Sequence, residues 1–189
     1  MEARTELEKV VSSTTVYRGR VLRHKMVRVK LPDGRMYLRD TVEHPGAVAL
    51  IPMLDDEIIL IRQFRLAAGR VLFEIPAGTL EQDESPEKCA ARELTEETGY
   101  RAGNLVKLSH CFLAPGYSSE MIHFYLATEL QLGKQQLDDE EAIQVCPTPM
   151  RKALEMVRSN EIEDAKTMVG ILLYERYLAV QKGLRPRNT

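Results

Sequence analysis

The sequence predicts a mixed α/β fold, and three observations predict it. Residues 15–66 alternate in polarity and carry β-branched runs, three later windows have helical periodicity, and short strands interleave with those helical windows. At 189 residues, with 44% apolar content and 29% charge, the chain suits a single domain (1–189) with a sizeable core.

The front half reads as strands Thr15 to Arg23, Lys25 to Lys30, Met36 to Glu43, Ala47 to Leu54 and Glu57 to Phe64. Leu31-Pro32-Asp33-Gly34 and Leu54-Asp55-Asp56 punctuate them as turns. A helix over 86–98 follows: Ser85 can cap it, Pro86 suits its first turn, Glu87 sits where the helix dipole favours a carboxylate, and Gly99 closes it. Further strands are expected at Asn104 to Phe112, Met121 to Thr128 and Ala142 to Cys146. Helices are expected over Pro147 to Ser159 and Ala165 to Gln181, on apolar stripes such as Ala153, Leu154, Val157 and Val169, Leu172, Leu173. The sum is a mixed sheet with helices packed on it.

Lys plus Arg total 26 against 28 Asp plus Glu, a formal charge of -2, which offers no surplus for a nucleic-acid polymer. Small phosphorylated metabolites stay open, since a few local arginines and a metal suffice for them. The polar start MEARTELEK and the lack of a long apolar run predict a cytoplasmic protein without a membrane partner. Cys89, Cys111 and Cys146 form neither a disulfide framework nor a zinc knuckle, and the four histidines lack ligand spacing. Cys89 is expected on the acidic side of the 86–98 helix, where access to it would matter.

The chemistry concentrates in Gly78 to Tyr100, GTLEQDESPEKCAARELTEETGY. At about 100° per residue, Glu93, Glu96 and Glu97 share one arc of the predicted helix, while Ala90, Ala91, Leu94 and Thr98 share another. The expectation is one packed face and one acidic face. Carboxylates one turn apart repel by a few tenths of a kcal/mol per pair, and a hard divalent cation removes that penalty. Oxygen ligands without Cys or His suit Mg²⁺ or Mn²⁺. Such an ion neutralises a diphosphate and lowers the pKa of a bound water. Arg92 is expected to orient a neighbouring carboxylate by a bidentate contact.

Written as a pattern, the window is G-x5-E-x7-R-E-L-x-E-E-x-G-Y, fixed by Gly78, Glu84, Arg92, Glu93, Leu94, Glu96, Glu97 and Gly99. It resembles the box of the Nudix hydrolases, with Tyr100 at a last position that is more often aliphatic. The resemblance extends over most of the chain to the ADP-ribose pyrophosphatase group, and it implies an α/β/α sandwich with an N-terminal antiparallel β-region (1–44) involved in dimerisation. It implies a Mg²⁺-dependent hydrolase, with Mn²⁺ as the alternative ion. The metal face would be Glu93, Glu96 and Glu97 with the Ala77 carbonyl, and Glu84 would support it.

The flanks carry the rest of the resemblance. Arg62-Gln63-Phe64-Arg65 precedes Phe73-Glu74-Ile75-Pro76-Ala77-Gly78, and in the family this arginine segment reaches substrate, Arg65 being the stronger choice beside Arg62 and Glu74. Pro115, 16 residues past Gly99, lies at the distance that distinguishes ADP-ribose hydrolases, with Gly116 beside it and Glu120 as a ligand of the terminal ribose or metal. Asp138-Asp139-Glu140-Glu141 resembles the acidic loop that supplies the general base, Glu141 ahead of Asp139. Arg20, Val21, Arg39 and Asp40 fall in segments that in the family contribute to the adenine and ribose site, often across a homodimer interface of exchanged N-terminal strands. The rivals are another nucleoside diphosphate sugar (GDP-mannose or a UDP-sugar) as substrate, removal of damaged nucleoside triphosphates, and a non-catalytic nucleotide-sugar binding module.

Overall fold

A computed structural model describes residues 8–137 and 142–183. They divide into two compact units, one comprising the residues up to 46 together with 112–121, the other 47–111 together with the residues from 122 onward.

The first unit is a three-stranded antiparallel meander of β1 (Lys9–Arg18), β2 (Arg23–Lys30) and β3 (Met36–Glu43). The sequence placed its first strand at 15–23. Instead β1 begins at the β-branched run after Lys9 and stops before a turn that Gly19 N closes on Leu22 O at 2.8 Å. The loop over 112–121 adds to the end of β3: Val42 N donates to Tyr117 O at 2.7 Å and Ser119 N donates to Val42 O at 3.0 Å. β1 is exposed along its whole length, including Val10, Val11, Val16 and Tyr17.

The second unit holds a seven-stranded mixed sheet. Its strands are β4 (Ala47–Leu54), β5 (Glu57–Arg65), β6 (Arg70–Glu74), β7 (Ala77–Thr79), β8 (Tyr100–Phe112), β9 (Met121–Leu132) and β10 (Ile143–Pro149). The main path runs β10-β5-β4-β9-β8, with β6 paired to β5 and β7 to β4; β4 and β9 are parallel. The sequence reading missed β6 and β7, which at five and three residues are too short to show a period.

Residues 48–51 and 58–61 are almost wholly buried and form the centre of the core. Helix α1 (Pro86–Thr98) packs through Cys89, Ala90 and Leu94 on Val48, Leu50, Tyr125 and Ala127. Helix α3 (Ala165–Gln181) meets Ile51 and Ile75 at Gly170, where an added Cβ would lie 2.7 Å from Ile75 Cδ1. Residues 48 and 50 point opposite to residue 51 along a strand, so the two helices cover opposite faces of β4.

Helix α2 (Met150–Arg158) starts later than the predicted Pro147, because β10 continues to Pro149. Two prolines fit there because β10 is the edge of its sheet, where a missing N–H breaks no inner ladder. No helix among the described residues is long and apolar enough to cross a membrane.

Candidate active site

Punctuation at both ends fixes α1. Ser85 Oγ accepts from Lys88 N at 3.4 Å, Pro86 fills the first turn, and Gly99 closes the helix at φ 76°, its N–H donating to Thr95 O. The chain after β9 then covers the end: Gln135 Nε2 donates to Glu97 O at 2.6 Å and Gln136 N to Glu96 O at 3.0 Å. These bonds occupy carbonyls that a helix terminus leaves without intrahelical partners.

The acidic residues of the window converge on Arg92. Its Nε and Nη2 fork onto the two oxygens of Glu84, each at 2.9 Å, and its Nη1 donates to Glu93 Oε1 at 2.7 Å and Glu96 Oε2 at 2.8 Å. Nη2 also reaches Thr79 O at 3.3 Å, tying the helix to β7. One guanidinium thus orients three carboxylates, more than the single bidentate contact expected from sequence. Arg92 holds the Glu84 carboxyl at about 2, opposing a smaller upward push from burial; the Glu81 N–H helps to lower it. Glu84 raises the guanidinium pKa of Arg92 in return, with burial opposing and Glu93 and Glu96 adding to the rise.

Gly78 is required by space. A Cβ there would fall 1.8 Å from Glu93 Cδ and Oε1, so only a bare Cα lets that carboxylate lie against the loop. One strand position away, Ala77 N donates to Glu97 Oε2 at 2.8 Å. The loop backbone therefore bonds one candidate ligand, Glu97, and makes room for another, Glu93, and the Ala77 carbonyl belongs to the same peptide stretch.

The helix is not divided into a packed and a solvated acidic face. Glu97 is 3% exposed and the Glu93 side chain 12%, while the Glu96 side chain is 37% exposed. The acidic arc is folded against β7, and Cys89, placed on that arc from the sequence, is wholly buried with its thiol 3.5 Å from Thr79 O, so the access that a role for it would need is absent. Burial pushes that thiol's pKa up. No group of three His, Cys, Asp or Glu side chains among the described residues is gathered as a ready-made metal cage. The donors that flank Gly78 are nevertheless all hard oxygens, which fits Mg²⁺ or Mn²⁺ better than a softer ion.

Arg62 and Arg65 do not form a pair. Residues three apart on a strand face opposite ways. Arg65 forks onto Glu74 through Nε at 2.8 Å and Nη2 at 2.7 Å, and Glu74 is 1% exposed. Arg62 instead lies over the Phe73 ring, 5.4 Å from its centroid, and donates to Gln144 Oε1 at 3.3 Å. It lines a cavity of about 470 Å³ with Phe64, Val71, Leu137, Ala142, Ile143 and Gln144.

Burial pushes the Glu74 carboxyl up, but Arg65 and Lys166 together hold it below the usual carboxylate range. Glu74 raises the Arg65 pKa, and the charges of Glu97 and Asp164 add to the rise, which locates Arg65 within the field of the carboxylates on α1.

Sequence reasoning missed the residues behind Glu74. Lys166 is ion-paired to Glu74 and to Asp164, and Thr167 Oγ1 accepts from Ile75 N at 2.8 Å. The available signal was Lys166 itself, a cation in the first turn of a helix, where the dipole disfavours one.

In the first unit, Arg20 and Val21 occupy the β1–β2 turn. Arg39 pairs with Glu8 at 2.7 Å, and Asp40 with His24 at 3.0 Å. Pro115 and Gly116 form a turn in which Ser118 N donates to Ala114 O at 2.8 Å, and Glu120 N donates to Ser118 Oγ at 3.1 Å. Asp139 and Glu141 lie outside the described residues.

The NUDIX domain family matches residues 43–168. The chain belongs to the Nudix family. An ADP-ribose pyrophosphatase of Bacillus subtilis (strain 168) is 39% identical over 184 residues, 96% of this chain and 97% of that protein. A methanol dehydrogenase activator of Bacillus methanolicus is 34% identical, covering 94% and 96%. A GDP-mannose pyrophosphatase of Salmonella typhimurium is 33% identical, covering 86% and 84%.

Among solved structures, an ADP compounds hydrolase superposes with a TM-score of 0.85 over 95% of this chain and 98% of that one, at 23% identity. The expected Nudix fold is met, and so is the expected class, a Nudix pyrophosphohydrolase grouped with ADP-ribose pyrophosphatases. Nudix hydrolases depend on divalent metals.

Proposed function

We propose that this Nudix hydrolase cleaves ADP-ribose into AMP and ribose 5-phosphate. The observation that carries the reading is the gathering of Glu84, Glu93 and Glu96 on Arg92, with Glu97 fastened to the Ala77 N–H beside a glycine that only a close approach requires. Bonds within the chain hold such a constellation in place, which is what charge stabilisation at phosphorus needs. Its likeness over nearly the full chain to an ADP-ribose pyrophosphatase supports ADP-ribose as the substrate.

Glu93, Glu96, Glu97 and the Ala77 carbonyl would hold the divalent ion, Mg²⁺ with Mn²⁺ as the alternative. When bound, that ion neutralises the diphosphate and acidifies a water. Glu141 takes the proton as water attacks phosphorus and the P–O–P bond breaks. Arg65 holds the diphosphate oxygens with the N–H groups not spent on Glu74, so Glu74 acts on substrate through Arg65. Arg62, turned to the other side of β5 onto Phe73 and Gln144, ranks behind Arg65 as a substrate ligand.

Arg20, Val21, Arg39 and Asp40 take the adenosine, and Gly116 and Glu120, placed by Pro115, the terminal ribose. The exposed apolar residues along β1 support a homodimer through residues 1–44 of one functional domain. Three free cysteines fit a reducing compartment, the cytoplasm, and the balanced charge leaves nucleic acid out as a partner.

The test is a panel of ADP-ribose, GDP-mannose and UDP-sugars with Mg²⁺ or Mn²⁺, products identified by mass. AMP and ribose 5-phosphate as preferred products support the reading. A preference for GDP-mannose, favoured by the similarity to a GDP-mannose pyrophosphatase, would replace the substrate. Tight binding without products would make the chain a sensor.

A further inference from the structure

The first turn of α3 carries a cation at a place where the helix dipole opposes one. Lys166 is the second residue of α3, and its side chain is only 11% exposed. A buried cation at a positive helix end requires compensating anions close by. The structure supplies two. Lys166 Nζ is in direct contact with Glu74 Oε2, and it lies 3.0 Å from Asp164 Oδ2. Asp164 is the helix cap, accepting from Thr167 N at 2.9 Å and Thr167 Oγ1 at 2.6 Å. Thr167 Oγ1 in turn accepts from Ile75 N at 2.8 Å, two residues before Ala77.

The charge count around Glu74 gives this network a consequence. Glu74 is the buried anion onto which Arg65 forks both of its bonds. With Arg65 as its sole partner, Glu74 would cancel the guanidinium charge, and a neutral pair attracts a diphosphate weakly. Lys166 supplies a second cation to Glu74, on the same Oε2 that takes Arg65 Nη2, and it offsets Asp164 as well: the four groups together carry no net charge, and without Lys166 they would carry one net negative charge.

We infer that Lys166 is a positioning residue that offsets the buried carboxylates Glu74 and Asp164, so that Arg65 is not outweighed by them where it meets the substrate diphosphate. Lys166 itself touches no substrate. The inference rests on the reading of Arg65 as the diphosphate ligand, and it holds for any nucleoside diphosphate sugar.

Inorganic pyrophosphate is the probe, titrated calorimetrically into the full-length wild type and into Lys166→Met, Lys166→Arg and the double variant Lys166→Met/Asp164→Asn, which leaves the Arg65–Glu74 fork in place and keeps an oxygen to cap the helix. Lys166→Met should bind pyrophosphate about tenfold more weakly, raise KM for the preferred substrate by a similar factor, and change kcat by less than about threefold. Its affinity should also fall less steeply with salt. Lys166→Arg should return to within about threefold of wild type. So should the double variant, which removes one carboxylate charge together with the cation paired to it and so restores the charge balance.

Unchanged affinity in Lys166→Met, with only a lower Tm, would overturn the inference, as would a double variant weaker than Lys166→Met. Absence of pyrophosphate binding by the wild type would overturn it as well, because Arg65 would then hold no diphosphate. If Lys166→Met does not fold, the double variant decides: affinity near wild type supports the inference and a tenfold loss refutes it. A panel that prefers another sugar nucleotide would sink the ADP-ribose reading while leaving this one standing.

Discussion

Replacing Gly78 by Ala separates the fold from the chemistry at one carbon. Gly78 does not adopt a positive φ, so Ala is acceptable to the backbone. Its Cβ, however, would lie 1.8 Å from Glu93 Cδ, against an ordinary contact of about 3.4–4 Å. The carboxylate must therefore retreat by roughly 1.6–2.2 Å, far enough to break its 2.7 Å bond to Arg92. Glu93 ends a flexible side chain, so the retreat costs little stability. Loss of one partly buried charged contact, about 1 kcal/mol, is offset by a similar loss of chain entropy in the unfolded state.

Tm should accordingly move by no more than ~2–4 °C for a chain of this size. Activity should respond differently, since displacing a reacting group by about 1 Å costs on the order of 10²-fold. Steady-state kinetics at saturating Mg²⁺ and a thermal melt on the same sample test both halves. A Gly78→Ala protein with wild-type kcat would remove Glu93 from the site. A melt lowered by more than ~10 °C would mean that Gly78 serves the fold instead.

Three further outcomes follow from neighbouring contacts. Glu97→Gln keeps an acceptor for Ala77 N but loses the charge, so kcat should drop by at least ~10²-fold while Tm and circular dichroism stay near wild type. In the wild type Glu84 is lowered from the ordinary 4.5 to about 2, so its stabilisation is complete above pH 4.5 and is lost as pH falls toward 2; Arg92→Met should be less stable at pH 7 and should lose less on going from pH 5 to pH 2.5. Gly99→Ala places a side chain at φ 76°, 2.8 Å from Gln135 N, and should destabilise by ~1–3 kcal/mol, read as a lower denaturant midpoint at unchanged slope.

What the sequence made legible is what short-range physics controls. Ser85, Pro86 and Gly99 act within one turn of their own position, and the helix they bound runs over the predicted 86–98. Strands β3 and β4 likewise fall where their alternation and flanking turns put them. The site was legible as a residue set, because the spacing of Gly78, Glu84, Arg92 and the three glutamates is itself a local pattern. The orientation of that set was not. Whether Glu97 meets water or the Ala77 amide depends on where β7 lies, and β7 is a three-residue strand fixed by pairing with β4, 30 residues away in the chain. Arg62 and Arg65 look alike in sequence and are separated only by the pleat. Lys166 meets Glu74 across 92 residues, a distance no local period spans.

These long-range contacts share one physical logic. The candidate carboxylates near the loop of Gly78 are held by cations or an N–H, some local and some from other elements: Glu93 and Glu96 by Arg92 of their own helix, Glu84 by the same Arg92, Glu97 by the Ala77 N–H of β7, and Glu74 by Arg65 of β5 and Lys166 of α3. Buried carboxylates left unpaired would protonate or unfold the site, so the pairing is required by stability alone. The same pairing fixes the carboxylates in place. In this Nudix hydrolase the orientation of the candidate carboxylates thus comes from Arg92 and the Ala77 N–H of the chain itself.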